Sequence, residues 1–304
     1  MKKKQDKKAT LKRHPLAEVF GFPITNQSDE AQRHRSGTLC PFHNRVPSCT
    51  KDKVNDPLGV CSIFDDDGLA ITCPVRFTEK NLIVSDAANF FFTPESSWTF
   101  LTEVKLNDKH GKSAGNIDLV LVSYDKKTGN VTDFGALEIQ GVYISGNVRK
   151  PFVKYMQEYK TITTFDWTHA KDYPRADYLS SSRKRLVPQL IYKGGILNTW
   201  NKKTAVVLNE DFFETLPELP EVDKEHADVA WCIYTLKEDT ESNSFHLTKK
   251  KTVYTKFRQA LDKIANAAPG NIDDFMKTLQ KKLNEKINSQ KTSGVSLIEE
   301  FFED

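Results

Sequence analysis

Two segments of alternating residues constrain the fold most: NIDLVLVSY (116–124) and VTDFGALEIQ (131–140), joined by a turn containing Lys-Thr-Gly-Asn. Alternation with a period of two is typical of strands, and the short connection predicts a β-hairpin. Further strands are predicted at 98–106, 204–209 and 229–236. Helical patterns are predicted at 78–92, 149–160, 180–200 and, with Asn271 as N-cap, from residue 272 onward. These elements predict an α/β (α+β) fold.

The hairpin carries acidic residues where core residues are expected. If its turn is centred on Thr128, Asp118 lies opposite Glu138, and directly opposed side chains have Cβ atoms about 4.5–5.5 Å apart. Two carboxylates at that distance repel each other unless a cation lies between them. Mg²⁺ suits such oxygen ligands because it keeps several waters and takes further ligands from phosphates. The pair therefore predicts metal-assisted hydrolysis of a phosphodiester.

Two more side chains extend this candidate site. Gln140 shares a strand face with Glu138 and is a candidate for orienting the attacking water or a phosphate oxygen. Glu103, on the preceding predicted strand, is a candidate for holding a second metal or its water shell. The alternative is that Asp118, Glu138 and Gln140 are solvent-facing polar positions of a half-exposed hairpin. Alternation alone leaves both interpretations open.

Four of the five cysteines lie in the N-terminal quarter, in a segment rich in Pro, Gly and Asp: Cys40, Cys49, Cys61 and Cys73. Their spacing lacks the paired Cys-x-x-Cys motifs of a zinc ribbon, so a metal site and four unrelated reduced thiols both remain open. We expect this loop-rich segment, about residues 35–76, to have no core of its own. Cys232 lies in a predicted buried strand and is expected in the core.

Charge gives a weaker indication of partners. The chain has 44 Lys and Arg against 41 Asp and Glu, and a net charge of +3 is too mild to identify a nucleic-acid binder. Local basic clusters are candidates for phosphate contacts, although such charges are usually solvated: Arg149 with Lys150, and Arg183, Lys184 and Arg185. Residues 1–18 form a basic tail, which we expect to be flexible. With no long apolar run, we expect a soluble, cytoplasmic protein without membrane contact.

The acids also fit a known motif. An Asp in one strand, followed by a strand with Glu-x-Lys, resembles the PD-(D/E)xK nucleases, except that Gln140 stands where the Lys is usual. Five segments in order resemble the NotI-type restriction endonucleases, in which Glu-x-Gln is the expected form: LCPF (39–42), GVCS (59–62), ITCPVRF (71–77), GNIDLVLV (115–122) and FGALEIQGVYISGN (134–147). This resemblance runs from about Val19 to about Gly195.

The resemblance implies a bacterial type II restriction endonuclease with a PD-(D/E)xK core, which is a mixed central sheet flanked by helices. It implies that Glu103, Asp118, Glu138 and Gln140 are catalytic, with Mg²⁺ on Asp118 and Glu138. It also implies a homodimer that cleaves double-stranded DNA at a palindromic, GC-rich site, with a companion DNA methyltransferase in the genome. The cluster of Cys40, Cys49, Cys61 and Cys73 would bind one tetrahedral structural metal, Fe or Zn.

The expected organisation is therefore a tail (1–18), a small four-cysteine metal-binding subdomain (19–77) and a nuclease and DNA-binding domain (78–304). Two other functions remain compatible with the residues. One is a non-catalytic, metal-stapled DNA-binding protein, which would not need Asp118 or Glu138. The other is a repair nuclease that acts on DNA structures instead of sequences.

Overall fold

The computed structural model describes residues 14–43, 47–53, 55–65, 68–158, 172–266 and 269–293. The chain divides into two compact units, Met1–Ala265 and Asn266–Asp304. The strands of the first unit are β1 (Leu16–Val19), β2 (Phe22–Pro23), β3 (Asp52–Lys53), β4 (Asp56–Pro57), β5 (Val60–Asp65), β6 (Gly68–Ile71), β7 (Trp98–Asn107), β8 (Ser113–Tyr124), β9 (Val131–Gln140), β10 (Tyr143–Ser145), β11 (Arg175–Asp177), β12 (Thr204–Asn209), β13 (Val229–Asp239) and β14 (Ser244–Thr255).

The helices of this unit include α1 (Asp29–Ser36), α2 (Leu82–Phe91), α3 (Arg149–Glu158), α4 (Tyr178–Ser181), α5 (Val187–Gln189), α6 (Gly195–Thr199), α7 (Glu210–Glu214) and α8 (Phe257–Ala265). A 3₁₀ helix, Pro74–Asn81, leads into α2, and another covers Lys224–His226. Two π-helical segments, Ser182–Leu186 and Leu190–Gly194, join α4, α5 and α6 into one continuous helical run. We call this run, residues 178–199, the site helix.

A six-stranded sheet organises the first unit, in the order β14-β13-β12-β9-β8-β7. Strands β9, β12 and β13 are parallel, whereas the pairs β7–β8, β8–β9 and β13–β14 are antiparallel. The predicted hairpin, its preceding strand and both predicted buried strands are therefore confirmed. The predicted mixed sheet flanked by helices is also confirmed.

The sheet separates two apolar cores because its side chains alternate between faces. On one face, Ala205, Val207 and Cys232 pack in a cluster with the buried residues of α2. On the other face, Val206, Leu208 and Trp231 share a cluster with Leu186 and Leu190 of the site helix and with the buried residues of α8. Cys232 is thus a core residue, as predicted.

The N-terminal segment is more ordered than its sequence predicts. Instead of a mainly loop-rich region, it contains an antiparallel sheet in the order β2-β1-β5-β6. Buried polar side chains hide the strands in the sequence: Glu18 of β1 accepts hydrogen bonds from Ser62 Oγ of β5 at 2.7 Å and from Arg76 Nε at 3.0 Å. Its apolar residues, among them Leu16, Val60 and Ile63, lie in the same cluster as Trp231. As expected, this segment has no separate core.

The second unit contains α9 (Ile272–Ser293). The predicted N-cap is confirmed, because the backbone N–H of Asp273 donates to Oδ1 of Asn271 at 2.7 Å. Across the described residues no helix combines the length and the apolar character needed to cross a membrane. The predicted boundaries at residues 18 and 77 stay predictions.

Candidate active site

Three acidic residues lie in one row across neighbouring strands. In the β8–β9 pairing, Leu119 faces Leu137, so Asp118 comes opposite Glu138 in the predicted register. In the β7–β8 pairing, Thr102 faces Leu119 and Val104 faces Ile117, which sets Glu103 opposite Asp118. Asp118 and Glu103 both act electrostatically on Glu138, and Glu103 acts on Asp118, so the three acids form one interacting group.

Glu138 is the most buried of the three, with 5% of its surface exposed. Its Oε2 accepts a hydrogen bond from Lys193 Nζ at 2.6 Å, and both side chains are buried. Its Oε1 is buried and has no hydrogen-bond partner among the described residues. Burial raises the pKa of Glu138 to about 8; Asp118 adds to the rise, and Lys193 opposes it. An unpaired buried carboxylate oxygen beside a second acid is a position that a cation would stabilise.

Asp118 is tied to the strand that carries Glu138. Its Oδ2 accepts the backbone N–H of Ile139 at 2.8 Å. Burial raises the pKa of Asp118 above its usual value, and Glu103 adds to the rise, whereas the Ile139 N–H, Lys193 and Arg185 oppose it. The mutual repulsion of the acids is therefore a property of the folded site.

Glu103 lies on the exposed edge strand β7 and has an unusual backbone. Its φ of +53° lies in the left-handed region, which non-glycine residues adopt rarely and mostly under constraint from their surroundings. Its Oε2 accepts a hydrogen bond from Asn116 Nδ2 at 3.3 Å. Strain of this kind is often found at functional sites, and the role of Glu103 stays a prediction.

Gln140 is buried on the same face as Glu138, with 1% of its surface exposed. Its Nε2 donates a hydrogen bond to Oε1 of Gln189 in the site helix. A cavity of about 10 Å³, room for about one water, lies between the strand and the helix and is lined in part by Glu138, Gln140, Gln189 and Lys193. Glu138 and Gln140 are therefore buried side chains of the β9 face, which contradicts the alternative of a solvent-facing hairpin.

The sequence patterns missed the contribution of the site helix. Arg185, Gln189 and Lys193 are four residues apart in succession, so they share one helix face. Each interacts with a different residue of the site: Arg185 acts electrostatically on Asp118, Gln189 bonds Gln140, and Lys193 bonds Glu138. The spacing within the predicted 180–200 helix was a usable signal, but it does not show which strand the helix covers.

The predicted DNA-contacting residues lie in two places. Arg183 and Lys184 are exposed on the site helix, and the guanidinium of half-buried Arg185 lies 5.3 Å from the centre of the Tyr143 ring. Lys150 is exposed at the start of α3. Arg149 and Arg185 also line an open cleft of about 730 Å³, together with Lys51, Asp52, Leu58, Tyr143, Gly146, Asn147 and Val148.

The charge of Arg149 is already matched. Its guanidinium pairs with Asp52 at 2.5 Å and with Asp56 at 2.7 Å, both in the β3–β4 hairpin. A phosphate contact by Arg149 would therefore compete with two carboxylates.

The four N-terminal cysteines are free thiols that lie in one neighbourhood. Burial raises the pKa of Cys40 to about 11, and Cys73 and Cys49 add to the rise. Burial likewise raises the pKa of Cys61 well above its usual value, with Cys73 adding. Within the described ranges, however, no set of three or more His, Cys, Asp or Glu side chains has the arrangement of a metal site, and this holds for the four cysteines and for the three acids alike.

Comparison with known proteins gives a family match over most of the chain. The family model described as restriction endonuclease NotI matches residues 18–247, which include the acid row, the site helix and all five cysteines. A search of curated proteins gives no match. The family match covers most of the chain and confirms the predicted nuclease activity. The chain belongs to the NotI restriction endonuclease family and is a type II, site-specific deoxyribonuclease.

Proposed function

We propose that this enzyme hydrolyses phosphodiester bonds of double-stranded DNA with Mg²⁺, using Glu103, Asp118, Glu138 and Gln140. The observation that carries the proposal is the row of three carboxylates that ends at Glu138 Oε1, a buried oxygen without a partner among the described residues. Carboxylate oxygens are hard ligands, and they suit Mg²⁺ better than they suit a softer metal. Two such ligands leave coordination positions of the metal free for water and phosphate. The order of the acid-bearing strands in a mixed sheet also supports a PD-(D/E)xK core.

Asp118 and Glu138 would hold the metal. Mg²⁺, when bound there, would polarise the scissile phosphate and lower the pKa of a bound water. The Ile139 N–H fixes the carboxylate of Asp118, and Lys193 fixes Oε2 of Glu138, so both acids are preorganised before DNA binds. Glu103, which is exposed, would hold the water shell or a second metal.

Gln140 would position the attacking water. An amide can neither take nor give a proton at neutral pH, so its task is orientation and not general base catalysis. The hydrogen bond to Gln189 restricts its side chain, which supports a fixed orientation.

We propose that DNA lies along the exposed face of the site helix. Arg183 and Lys184 project from this helix, and Arg185 approaches both Asp118 and Tyr143. Phosphate contacts there would place the backbone beside the acids. Lys150, at the edge of the open cleft, is a second candidate, and Arg149 is a weaker one because of its two ion pairs.

Family membership supports the remaining proposals. We propose a palindromic, GC-rich recognition site read by a homodimer, since a two-fold symmetric site calls for a two-fold symmetric reader. A companion methyltransferase in the genome would protect the same site. We further propose that Cys40, Cys49, Cys61 and Cys73 bind one structural Fe or Zn ion, supported by the mutual influence of their thiols.

Sequencing the ends of cleaved DNA tests the proposal most directly. The purified protein is incubated with a large mixed DNA, with Mg²⁺ and with a chelator in its place. We expect discrete fragments with Mg²⁺ only, whose ends share one palindrome. Fragments formed equally well in the chelator would overturn the Mg²⁺ requirement, and a continuous smear would contradict a specific site.

A further inference from the structure

The catalytic strand lacks a positive charge of its own. In the PD-(D/E)xK pattern a lysine occupies the position two residues after the second acid, whereas this chain has Gln140 there. The amide of Gln140 supplies only a dipole, and its Nε2 is already engaged with Gln189. If a cation acts at this site, it has to come from another element.

Lys193 brings an ammonium group to the second acid. Its Nζ lies 2.6 Å from Glu138 Oε2 and 2.8 Å from the carbonyl oxygen of Asn116 on β8, so it bridges two of the three strands that carry the acids. Lys193 is 5% exposed, and water therefore screens its charge little. These two contacts account for two of the three N–H donors of an ammonium group.

The backbone around Lys193 lets the lysine side chain reach the acid row. The residue lies in the π-helical segment Leu190–Gly194, and π-helical turns occur frequently at functional sites. On the strand side, Gly115 has a φ of +111°, and a Cβ at that position would be 3.7 Å from Lys193 Cδ. Gly194 allows a close approach to α8, since a Cβ there would lie 2.7 Å from Phe257 Cε2. The lysine chain thus runs across a glycine of β8 to reach the acid row.

Stability alone does not explain a buried Lys–Glu pair. Desolvating two charges offsets most of their attraction, and apolar residues of similar volume often serve a core as well or better. A purely structural lysine would also be expected to leave no carboxylate oxygen unsatisfied, yet Oε1 of Glu138 has no partner among the described residues. The pair is better explained as part of a site that handles additional negative charge.

We propose that Lys193 supplies, from the site helix, the positive charge that the Glu-x-Gln motif lacks on its own strand. The inference rests on the proposed roles of Asp118 and Glu138. During hydrolysis water adds to phosphorus, the bond from phosphorus to the leaving oxygen breaks, the water loses a proton to solvent and the leaving oxygen gains one. Lys193 is unchanged: held at 2.6 Å from Glu138, it places its charge beside the acid row, where that charge stabilises the negative charge that accumulates on the phosphoryl oxygens.

Relocating the charge tests this inference. We compare Lys193→Met, the double variant Lys193→Met/Gln140→Lys, and Lys202→Met as matched control. Lys202 pairs with Asp133, on the same strand as Glu138, at 2.5 Å, but Asp133 lies outside the acid row. Single-turnover cleavage, DNA affinity without Mg²⁺ and thermal unfolding are measured for each.

Lys193→Met is expected to slow cleavage about 100-fold with DNA affinity unchanged, the double variant to regain about 10-fold, and Lys202→Met to match the parent. Cleavage by Lys193→Met at the parental rate, or a folded double variant as slow as Lys193→Met, would overturn the inference. Should Lys193→Met fail to fold, Lys193→Arg is compared with Lys193→Gln. Faster cleavage by the Arg variant supports a role for charge, and equal rates refute it.

Calorimetry with Mg²⁺ in the absence of DNA measures Mg²⁺ affinity and distinguishes two roles of Lys193. Lys193 either supplies positive charge to the site or only holds the side chain of Glu138 in place. If Lys193 supplies charge, Lys193→Met binds Mg²⁺ at least as tightly as the parent, because a cation next to the ligand is gone. If Lys193 only holds Glu138 in place, Mg²⁺ binding weakens together with cleavage, which refutes the inference. If Asp118→Asn does not cleave DNA while Lys193→Met cleaves at the parental rate, the role of Lys193 is refuted and the proposed acid site is retained. If the parental enzyme cleaves DNA without Mg²⁺, the proposed function itself is refuted.

Discussion

Oδ2 of Asp118 accepts the backbone N–H of Ile139 at 2.8 Å, which ties the acid of β8 to the residue that follows Glu138 in β9. The separation of the two carboxylates is therefore set by the sheet and not by flexible side chains. Because the backbone fixes the position of Asp118, an isosteric substitution can remove the charge of the side chain while the fold is kept.

Asp118→Asn tests the acid row. An amide oxygen can still accept the Ile139 N–H, but the charge is lost, so we expect normal folding and cleavage reduced by about 1000-fold or more. Plasmid cleavage and thermal unfolding measure the two effects. Asp133→Asn, on the same strand as Glu138 and paired with Lys202, is the control and should cleave normally. Cleavage by Asp118→Asn near the parental rate would remove Asp118 from the site.

The stability of the metal-free protein should depend on Glu138. Its pKa is raised from 4.5 to about 8 in the folded state, so the fold favours the protonated carboxyl. This stabilisation is fully present below pH 4.5 and is lost as the pH rises through 8. The melting temperature should therefore fall between pH 5 and pH 9, and fall less in Glu138→Gln.

Mg²⁺ provides the matching control at pH 9. It should raise the melting temperature of the parent more than that of Glu138→Gln, because the variant keeps Asp118 but lacks the second charged ligand. If the melting temperature of the parent and of Glu138→Gln depends on pH in the same way, groups other than Glu138 control that dependence.

The cysteine cluster should contribute to stability through a metal. Cys40→Ser or Cys73→Ser is expected to lower both the bound Fe or Zn and the melting temperature, whereas Cys232→Ala should lower stability alone, since Cys232 lies in the core. Elemental analysis and thermal unfolding report the two quantities. Serine variants that keep full stability and lose no metal would contradict a structural metal site.

The exposed basic residues of the site helix should set the salt dependence of DNA binding. Arg183→Ala/Lys184→Ala is expected to weaken binding to specific and unrelated DNA alike, and to reduce the slope of log K against log salt by about two. Lys126→Ala/Lys127→Ala, at the exposed turn of the β8–β9 hairpin, is the matched control. Equal effects of both double variants would place the DNA elsewhere.

Much of the six-stranded sheet could be predicted from sequence because its strands alternate clearly and a short turn joins two of them. The register that sets Asp118 opposite Glu138 followed from that turn. The N-terminal sheet was missed because Glu18 of β1 is buried against Arg76 of the 3₁₀ helix that follows the sheet, so a charged residue occupies a buried strand position and the alternation disappears.

Lys193 could not be predicted for a different reason. It lies 55 residues beyond Glu138 in the chain, and the two meet only because the site helix packs over β9. A local pattern can reveal a helix face that carries Arg185, Gln189 and Lys193. It carries no information about which strand that face covers, because tertiary packing decides the pairing.

The N-terminal sheet and the parallel strands β12 and β13 bury side chains in one cluster. Truncation of the cysteine-bearing segment would therefore expose Trp231 and its neighbours to water, and the shortened enzyme should aggregate instead of behaving as a smaller nuclease. The cysteine-bearing segment and the catalytic sheet therefore depend on each other for a buried core.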